Sequence, residues 1–386
     1  MRKNICLVLL LAAVLLPSCK KYDLEKRAAR FEQEMSSFRE DIRNVGMSVV
    51  FVRENKIAYV HHFGVKNVET QEPIDDQTMF RIASISKSFT STCFMQLVEQ
   101  GKISLQTDAS ELAGFPIRNP HYPDTVITLE MMLSHTSSIN DSEGYYITLD
   151  VINPEKNPNW ANCYNEYEPG KGYEYCNLNF NLLGSFLEKL TGVRFDEYVA
   201  RQILKPLGLY GGYCVDSLDR TRFASLYEYD PEDGSFTCVD DEAYAPRSHR
   251  LVDYKLGFDT PVFSPTGGMK LSAIDLAKYM MMHMNYGITP DSVRIISEAS
   301  SKNMQTPRSE DEHYGLALWK TDEYSPGVTL TGHTGGAYGM RSAMFFNPEE
   351  KYGFVVISNG AISQWEDDEN ILSGTLKRMY RCFIEE

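Results

Sequence analysis

A serine followed three positions later by a lysine is the sequence feature that most narrows what this chain can fold into. Residues 80–90 read Phe-Arg-Ile-Ala-Ser-Ile-Ser-Lys-Ser-Phe-Thr, so that Ser84 and Lys87 are three apart. Apolar residues then recur at three- and four-residue steps as far as Gly101, which predicts a helix whose first turn lies at or just after Ser84. On such a helix the two side chains lie on one face, one turn apart.

This spacing is chemically useful as well as structural. The free N–H groups and the dipole at a helix N-terminus stabilise a developing oxyanion beside Ser84. A lysine that shares an apolar helix face is partly desolvated, which lowers its pKa and lets Lys87 accept the hydroxyl proton. The pair is therefore a candidate nucleophile and base. Because Ser-x-x-Lys also occurs by chance in many chains, the hypothesis needs partner residues elsewhere.

Residues 1–18 have the pattern of an export signal. Arg2 and Lys3 precede an apolar run that is too short to span a membrane. The Leu-Pro-Ser-Cys that ends at Cys19 looks like a bacterial lipobox, which implies cleavage before Cys19 and lipid attachment to its sulfur. The alternative is an ordinary secretory peptide with an incidental cysteine. With either, we expect an exported protein of the cell envelope, and the lipid would anchor it in the periplasm or at the outer membrane.

The charge of the chain excludes one class of partner. The formal net charge is −15, and loss of Arg2 and Lys3 with the signal would make it −17 (−15 − 2). Phosphate binding needs clustered lysine and arginine, so an acidic chain argues against a nucleic-acid partner. The 42% hydrophobic content over 386 residues allows a sizeable core and predicts one catalytic unit of two lobes.

Six cysteines follow Cys19. Their spacings match no zinc pattern, and we predict no metal. In an oxidising compartment the nearest candidates for disulfides are Cys163 with Cys176 and Cys214 with Cys238, although six cysteines allow fifteen pairings. The six are Cys93, Cys163, Cys176, Cys214, Cys238 and Cys382.

Hydrophobic periodicity predicts the other elements. A helix with one narrow apolar stripe is expected within residues 20–43, and a hairpin follows. The further predicted helices are 127–134 with Thr128 as N-cap, 177–190, 272–282 with Ser272 as cap, and 371–383, and the predicted strands are 47–52, 57–63, 314–319, 328–330, 340–346 and 354–358.

A second motif, Tyr175-Cys176-Asn177, falls where a Pro-Gly turn gives way to a helical pattern. A phenol beside an ammonium can lose its proton more readily, and an amide can bond both a lysine and a substrate carbonyl. Taken alone, Tyr-x-Asn is typical of a turn. His135, which closes the helix at 127–134, is another possible base, but a histidine there more often bonds a neighbouring loop or carbonyl.

The third motif lies near the C-terminus. A strand at 328–330 runs into Thr-Gly-His-Thr-Gly-Gly, residues 331–336. Small residues let a substrate backbone lie along this strand edge as an added strand, and His333 brings a titratable group to the same cleft.

Together and in this order, the three motifs resemble those of the penicillin-recognising serine hydrolases. The resemblance is strongest to the branch with class C β-lactamases, related D-Ala-D-Ala carboxypeptidases, D-aminopeptidases and esterases, and it covers about residues 40–386. It implies an α+β fold in which an antiparallel sheet is flanked by helices and carries an inserted, mostly helical lobe. Residues 40–90 and 262–386 would form the sheet lobe, residues 91–261 the helical lobe, and residues 19–39 a lipidated tether.

The resemblance also implies roles for individual residues, and no cofactor. Ser84 would form the acyl-enzyme, Lys87 would activate it, and Tyr175 would be the acid/base for the leaving group. The oxyanion hole would comprise the backbone N–H groups of Ser84 and Gly336. The residues implied in substrate binding are Asn177, His333, Thr334, Gly335 and Gly336.

Two residues depart from the family pattern. Class C β-lactamases have a lysine where this chain has His333, and a neutral imidazole binds a carboxylate less strongly than an ammonium does. Cys176 stands where a smaller residue is usual; it either fits as it is or is held in a disulfide that shapes the tyrosine.

Three hypotheses remain open from the sequence. The first is an acyl-enzyme hydrolase of peptide, amide or ester bonds, with a D-Ala-D-Ala carboxypeptidase or D-aminopeptidase-like activity on small or peptide substrates, peptidoglycan among them. The second is a β-lactamase or carboxylesterase. The third is a penicillin-binding sensor or scaffold that acylates without turnover.

Overall fold

Among the described residues, eleven strands form the framework of the fold, and seven of them lie within residues 46–81 and 319–360. The computed structural model describes residues 22–146, 148–259, 261–309, 312–362 and 369–385. The strands are β1 (Gly46–Arg53), β2 (Lys56–Gly64), β3 (Met79–Arg81), β4 (Gly211–Gly212), β5 (Tyr227–Tyr229), β6 (Phe236–Cys238), β7 (Lys270–Ser272), β8 (Trp319–Thr321), β9 (Leu330–Ala337), β10 (Met340–Asn347) and β11 (Tyr352–Gly360).

The main sheet has six antiparallel strands in the order β2-β1-β11-β10-β9-β8. Its core strands alternate between two hydrophobic clusters, as the two-residue period of a strand requires. In β1, Phe51 faces one cluster, while Val50 and Val52 face the other. The predicted hairpin is confirmed as β1 and β2, and Phe51 pairs with Phe354 of β11 in the centre of the sheet.

Helices cover both faces of this sheet. The helices of the described chain are α1 (Leu24–Asp41), α2 (Ser86–Glu99), α3 (Ala109–Ala113), α4 (Leu129–Leu133), α5 (Asn177–Thr191), α6 (Phe195–Val199), α7 (Asp240–Ala243), α8 (Ala273–Met284), α9 (Glu298–Met304) and α10 (Ile371–Phe383). The first and last, α1 and α10, pack together on one face, and α8 packs on the other. Thr128 and Ser272 cap α4 and α8, as predicted.

The α+β fold class that the motifs implied is confirmed. The sheet takes its strands from residues 46–64 and 319–360, with α2 to α6 in the chain segment between. Gly335 of β9 approaches the turn before α2 so closely that an added Cβ would lie 3.0 Å from the Ser84 nitrogen. The nucleophile candidate therefore lies where the sheet meets the helical segment.

The strand predicted at 314–319 is wrong: Gly315 N donates to Leu318 O at 2.7 Å, so the chain turns there, and the strand begins only at Trp319. Ala317 has a φ of +60°, which a strand cannot accommodate. The predicted tether, residues 19–39, overlaps α1, whose Phe31 side chain is completely buried.

Residues 1–18 and Cys19 lie outside the described residues, so the predicted signal and lipid site are expectations still. Within the described ranges, no helix has both the length and the apolar character needed to cross a bilayer.

Candidate active site

Ser84 lies in a short 3₁₀ turn, Ala83–Ile85, that leads directly into α2. The helix predicted from residue spacing is confirmed, and Ser84 precedes its first turn. Ala83 has a φ of +43°, a conformation that is unfavourable for a residue with a Cβ. The strained turn is held by its completely buried neighbours Ile82 and Ile85 and leaves Ser84 partly accessible.

Lys87 is completely buried and joins three parts of the chain. Its Nζ lies 3.2 Å from Ser84 Oγ, 2.9 Å from Asn177 Oδ1 and 3.0 Å from the Thr266 carbonyl oxygen. Burial lowers the pKa of Lys87 to about 7, and the negative charge of Asp141 partly opposes this shift. A substantial fraction of Lys87 is therefore a neutral amine at neutral pH, which is the form that can accept a proton from Ser84.

Tyr175 behaves differently from the sequence expectation. Burial raises its pKa, against a hydrogen bond with Ser84 that lowers it. The Lys87 Nζ lies 4.8 Å from the centre of the tyrosine ring, so it contacts the ring face and is not placed to stabilise a phenolate oxygen. The expectation that Lys87 favours proton loss is wrong. Because Tyr175 is 36% exposed, water screens part of the shift, but its direction keeps a proton on the phenol.

Asp141 is a site residue that sequence reasoning missed. One carboxylate oxygen accepts hydrogen bonds from Asn177 N at 3.0 Å and Asn177 Nδ2 at 2.9 Å. The other accepts from Leu178 N at 2.8 Å and from the Cys176 thiol at 3.3 Å. Asp141 thus binds the free N–H groups at the start of α5 and turns the Asn177 amide so that its oxygen faces Lys87.

His135 packs against Tyr175 and bonds the backbone on either side of it. It accepts a hydrogen bond at Nδ1 from Cys176 N at 3.1 Å, and its carbonyl accepts one from Glu174 N at 3.0 Å. Its ring lies 4.3 Å from the Tyr175 ring, measured between centroids. Burial lowers the pKa of His135 well below its ordinary value, so the ring is neutral. The structural role predicted for His135, bonding a neighbouring loop, agrees with this arrangement.

His333 is buried in β9 with both ring nitrogens engaged. Nδ1 contacts the Thr334 carbonyl oxygen, which can only accept, so Nδ1 carries the proton. Nε2 then accepts from the Tyr314 hydroxyl at 2.8 Å. Burial lowers the pKa of His333 to about 3. In this arrangement His333 is a neutral imidazole with no free N–H for a substrate carboxylate, and Tyr314 is its partner.

The edge of β9 completes the cleft. Pairing with β8 ends at Gly332, so residues 333–337 have β10 alone as a strand neighbour among the described strands. Thr334 is half-buried and Gly336 is exposed on this stretch. At Gly335 an added Cβ would lie 2.4 Å from the Ile82 carbonyl oxygen. Only glycine allows β9 to lie this close to the turn Ala83–Ile85 that holds Ser84, which is called the serine turn below.

The six cysteines of the described chain are free thiols. The disulfide alternative for Cys176 is therefore excluded in this structure, and its buried thiol donates to Asp141 instead. Across the described ranges, no three His, Cys, Asp or Glu side chains converge as a metal site would require.

The structure brings the three motifs into one site. Ser84, Lys87, Tyr175 and Asn177 are in direct contact, and the Tyr175 ring centroid lies 6.4 Å from that of His333. Asp141 lies 36 residues before Asn177 and Tyr314 lies 19 residues before His333. Asp141 has no sequence signal except a polar side chain in a loop, and Tyr314 is the first residue of the segment that was wrongly predicted as a strand, so neither stands out as a site residue.

Comparison with known proteins agrees with this geometry. The family model described as Beta-lactamase matches residues 31–375. Protein flp of Staphylococcus aureus is 24% identical in an alignment of 337 residues that covers 81% of this chain and 59% of flp, so this chain spans about three fifths of that relative. Penicillin-binding protein 4 of Amycolatopsis lactamdurans is 26% identical over 78% of this chain and 77% of the relative.

Among solved structures, D-amino acid amidase of Ochrobactrum anthropi superposes with a TM-score of 0.71 at 19% identity, over 92% of this chain and 98% of the amidase. At this identity the likeness concerns the fold. The family match covers most of the described residues and includes all three motifs. The chain therefore belongs to the beta-lactamase family, within the superfamily of serine hydrolases.

Proposed function

We propose that the protein hydrolyses peptide, amide or ester bonds through an acyl-enzyme on Ser84. One observation carries the proposal: a completely buried Lys87 with a pKa of about 7 lies 3.2 Å from the serine oxygen. A buried amine near its pKa at neutral pH has little structural value, since an apolar side chain would fill the same space at lower cost.

The chain's own groups suffice for acylation. Ser84 Oγ attacks the substrate carbonyl carbon while its proton moves to the neutral Lys87 amine. The oxyanion would be bound by the N–H groups of Ser84 and Gly336. Tyr175, which holds its proton, donates it to the leaving group as the carbon–heteroatom bond breaks, and the Lys87 ammonium can return a proton to the tyrosine. Water then hydrolyses the ester to Ser84.

Asn177 connects substrate and base in this scheme. Its oxygen is held by Lys87, and one hydrogen of its amide nitrogen is held by Asp141. An amide nitrogen has two hydrogens, so the second can bond the acyl carbonyl or amide of a substrate. An extended substrate would lie along residues 333–337 of β9 as an added strand.

The leading substrate class is a D-amino-acid peptide or amide, as in cell-wall stems. A D-Ala-D-Ala carboxypeptidase or D-aminopeptidase-like activity is supported by the open β9 edge and by a relative named as a penicillin-binding protein. The similar structure named as a D-amino acid amidase supports the same class.

Two alternatives rest on specific observations. A carboxylesterase is favoured by the engaged His333, because an ester substrate needs no carboxylate-binding group in the third motif. The same feature speaks against efficient β-lactamase activity. A sensor that acylates once without turnover would keep the acylation residues and lose deacylation, which kinetics can detect.

The test is intact-mass analysis after exposure to a fluorescent penicillin, a chromogenic ester and a peptide ending in D-Ala-D-Ala. We compare the wild type with Ser84→Ala, and with Ser37→Ala as a matched change at an exposed serine of α1. We expect a penicillin adduct and release of D-Ala with the wild type and Ser37→Ala, and neither with Ser84→Ala.

Each other outcome points elsewhere. Turnover of the ester or penicillin with an intact peptide would favour the esterase or β-lactamase. A stable adduct with no turnover of any substrate would favour the sensor. An adduct that persists in Ser84→Ala would refute the role of Ser84.

We also propose that the mature protein begins at Cys19 and is held at a membrane of the cell envelope by a lipid there. The lipobox-like Leu-Pro-Ser-Cys supports this. Metabolic labelling with a fatty acid should mark the wild type and fail with Cys19→Ser; equal labelling of both would refute the anchor.

A further inference from the structure

A cleft of about 390 Å³ lies next to the site and has a strongly basic lining. Arg81, Arg247, Arg250 and His249 contribute to its wall, and none of the described residues that line it is acidic. Two exposed or half-exposed tyrosines, Tyr146 and Tyr338, also line it. In a chain with a net charge of −15, this concentration of cations needs an explanation.

Arg81 is the most unusual member of this lining. Only 6% of its surface is exposed, and its guanidinium donates a hydrogen bond of 3.2 Å to the Ala243 carbonyl oxygen. Its Nε is buried and has no partner among the described residues. The guanidinium lies over the Tyr338 ring, 5.0 Å from its centroid. A buried guanidinium with an unsatisfied donor is costly unless an anion pairs with it.

The neighbouring charges increase that cost. A smaller cavity beside the cleft is lined by Arg81, Arg247 and Lys270 together. Lys270 is 3% exposed and donates to the Tyr213 carbonyl oxygen at 2.8 Å. Asp216 acts electrostatically on Lys270, but its Oδ2 already accepts hydrogen bonds from the backbone N–H groups of Arg247 and Ser248. Burial, and after it the charges of Arg81 and Arg247, lower the pKa of Lys270 well below its ordinary value, so the positive charge at this cavity is carried by the two arginines. No carboxylate of the described chain lines the cavity.

The cleft is built on the elements that present the site. Arg81 precedes Ser84 by three residues, and Asn181 follows Asn177 by one helical turn of α5. Ser264 lies in the turn whose Thr266 carbonyl binds Lys87. None of the residues that line the cleft belongs to the Tyr175, Tyr314 and His333 cluster. A substrate attached to Ser84 can therefore extend one end into the cleft.

We propose that this cleft binds a carboxylate carried by the acyl part of the substrate. The guanidinium fork matches a carboxylate with two parallel hydrogen bonds, and the tyrosine rings favour the adjoining carbon chain. The role is needed because His333, with both nitrogens engaged, offers the substrate no charge. The proposal rests on the acyl-enzyme function above and specifies its substrate class as acyl compounds with a free carboxylate.

Two matched esters test the proposal. The mono-para-nitrophenyl ester of glutaric acid and the para-nitrophenyl ester of pentanoic acid differ in a terminal carboxylate in place of a methyl group. We expect wild type to prefer the glutarate ester in kcat/KM. In Arg247→Gln the preference should fall about tenfold or more, because a charge-assisted hydrogen bond is lost, while the pentanoate rate is retained. Arg201→Gln, an arginine 62% exposed outside the cleft, is the matched control.

A binding measurement separates this proposal from the catalytic one. Calorimetry with N-acetyl-glutamate on Ser84→Ala should show binding that is weakened by Arg247→Gln and by added salt. Such binding without hydrolysis of any ester would support the cleft and refute the proposed activity. Ser84-dependent hydrolysis with no preference, or an equal preference in Arg247→Gln, would refute the cleft alone. Inorganic phosphate that binds as tightly as N-acetyl-glutamate would also overturn the carboxylate assignment.

Discussion

The pKa of Lys87 is set mainly by the burial of its amine. The side chain is completely enclosed, and its three hydrogen-bond partners are a hydroxyl, an amide oxygen and a carbonyl oxygen, none of which carries a formal charge. Desolvation therefore dominates and lowers the pKa, while the more distant Asp141 raises it. The balance keeps the amine close to the protonation state that a general base requires at neutral pH.

The pH dependence of acylation tests this balance. Since Lys87 acts as a neutral amine, kcat/KM for the para-nitrophenyl pentanoate ester should rise about tenfold per pH unit below an apparent pKa of about 7 and level off above it. Tyr175 has a raised pKa and should add no descending limb close to neutral pH. A profile with its midpoint near 10.5, the ordinary lysine value, would contradict the assignment.

Asp141 acts through Asn177 and Lys87 and is therefore a positioning residue. In Asp141→Asn, an NH₂ group must face at least one of the N–H donors that the carboxylate now binds. We expect kcat/KM to fall about tenfold to a hundredfold. Loss of the negative charge should also lower the pKa of Lys87 further and move the ascending limb of the pH profile to lower pH.

The pH profile distinguishes this role from simple destabilisation. Asp150→Asn, at an exposed aspartate nine residues after Asp141, is the control and should leave the pH profile unchanged. If Asp141→Asn lowers kcat/KM without moving the limb, Asp141 holds the loop and does not set the pKa of the base.

At the scale of elements, the distance between β9 and the turn Ala83–Ile85 sets the width of the active-site cleft. The strand can lie there because Gly335 has no side chain, and Ser342 of β10 fastens the turn by donating to the Ile82 carbonyl oxygen at 2.9 Å. The serine turn and the substrate-binding edge are therefore held at one distance by backbone contacts.

Gly335→Ala tests this contact. The added methyl would lie 2.4 Å from the Ile82 carbonyl oxygen and 3.0 Å from the Ser84 nitrogen, so β9 or the turn must move. We expect a loss of kcat/KM of about a hundredfold, because small displacements of reacting groups are costly. The measurement is kcat/KM beside the melting temperature; full activity in the folded variant would show that the turn can yield without cost.

At the scale of the whole molecule, the first and last helices of the described residues, α1 and α10, form one layer. These helices pack on one face of the sheet, against the hydrophobic cluster that contains Phe51. Ile82 and Ile85, which flank Ser84, belong to the cluster on the other face. Phe31 of α1 lies 5.4 Å from Phe383 of α10 between ring centroids. This layer should stabilise the sheet without taking part in the chemistry.

Phe31→Ala should therefore reduce stability and leave catalysis intact. Removal of a completely buried phenylalanine should lower the free energy of unfolding by about 3–5 kcal/mol. Denaturant unfolding measures that loss, and kcat per folded molecule should match the wild type. Val68→Ala, at a residue 42% exposed, should change stability by less than about 0.5 kcal/mol. A large loss of kcat in folded Phe31→Ala would show that this layer reaches the site.

Local patterns determined much of this protein. The Ser84 helix, the β1–β2 hairpin, the strands β10 and β11 and helix α10 were all predictable, because the periodic burial of apolar residues can be read from neighbouring positions. The strand predicted at 328–330 shares only Leu330 with β9, which continues through the third motif to Ala337. The order of the three motifs likewise predicted which residues meet at the nucleophile. The turn at 315–318 was mispredicted as a strand, because its apolar residues resemble one and its positive φ leaves no signal in them.

Only the tertiary structure decided the electrostatics of the site. The roles of Asp141 and Tyr314 depend on partners that are distant in the sequence, and no local pattern marks either residue. Arg81 is unusual because its buried Nε has no hydrogen-bond partner among the described residues, which the sequence cannot reveal. The direction of the Tyr175 pKa depended on which part of its ring faces Lys87. Contact and desolvation are properties of the packed chain, so residue spacing could predict which groups meet but not how each is charged.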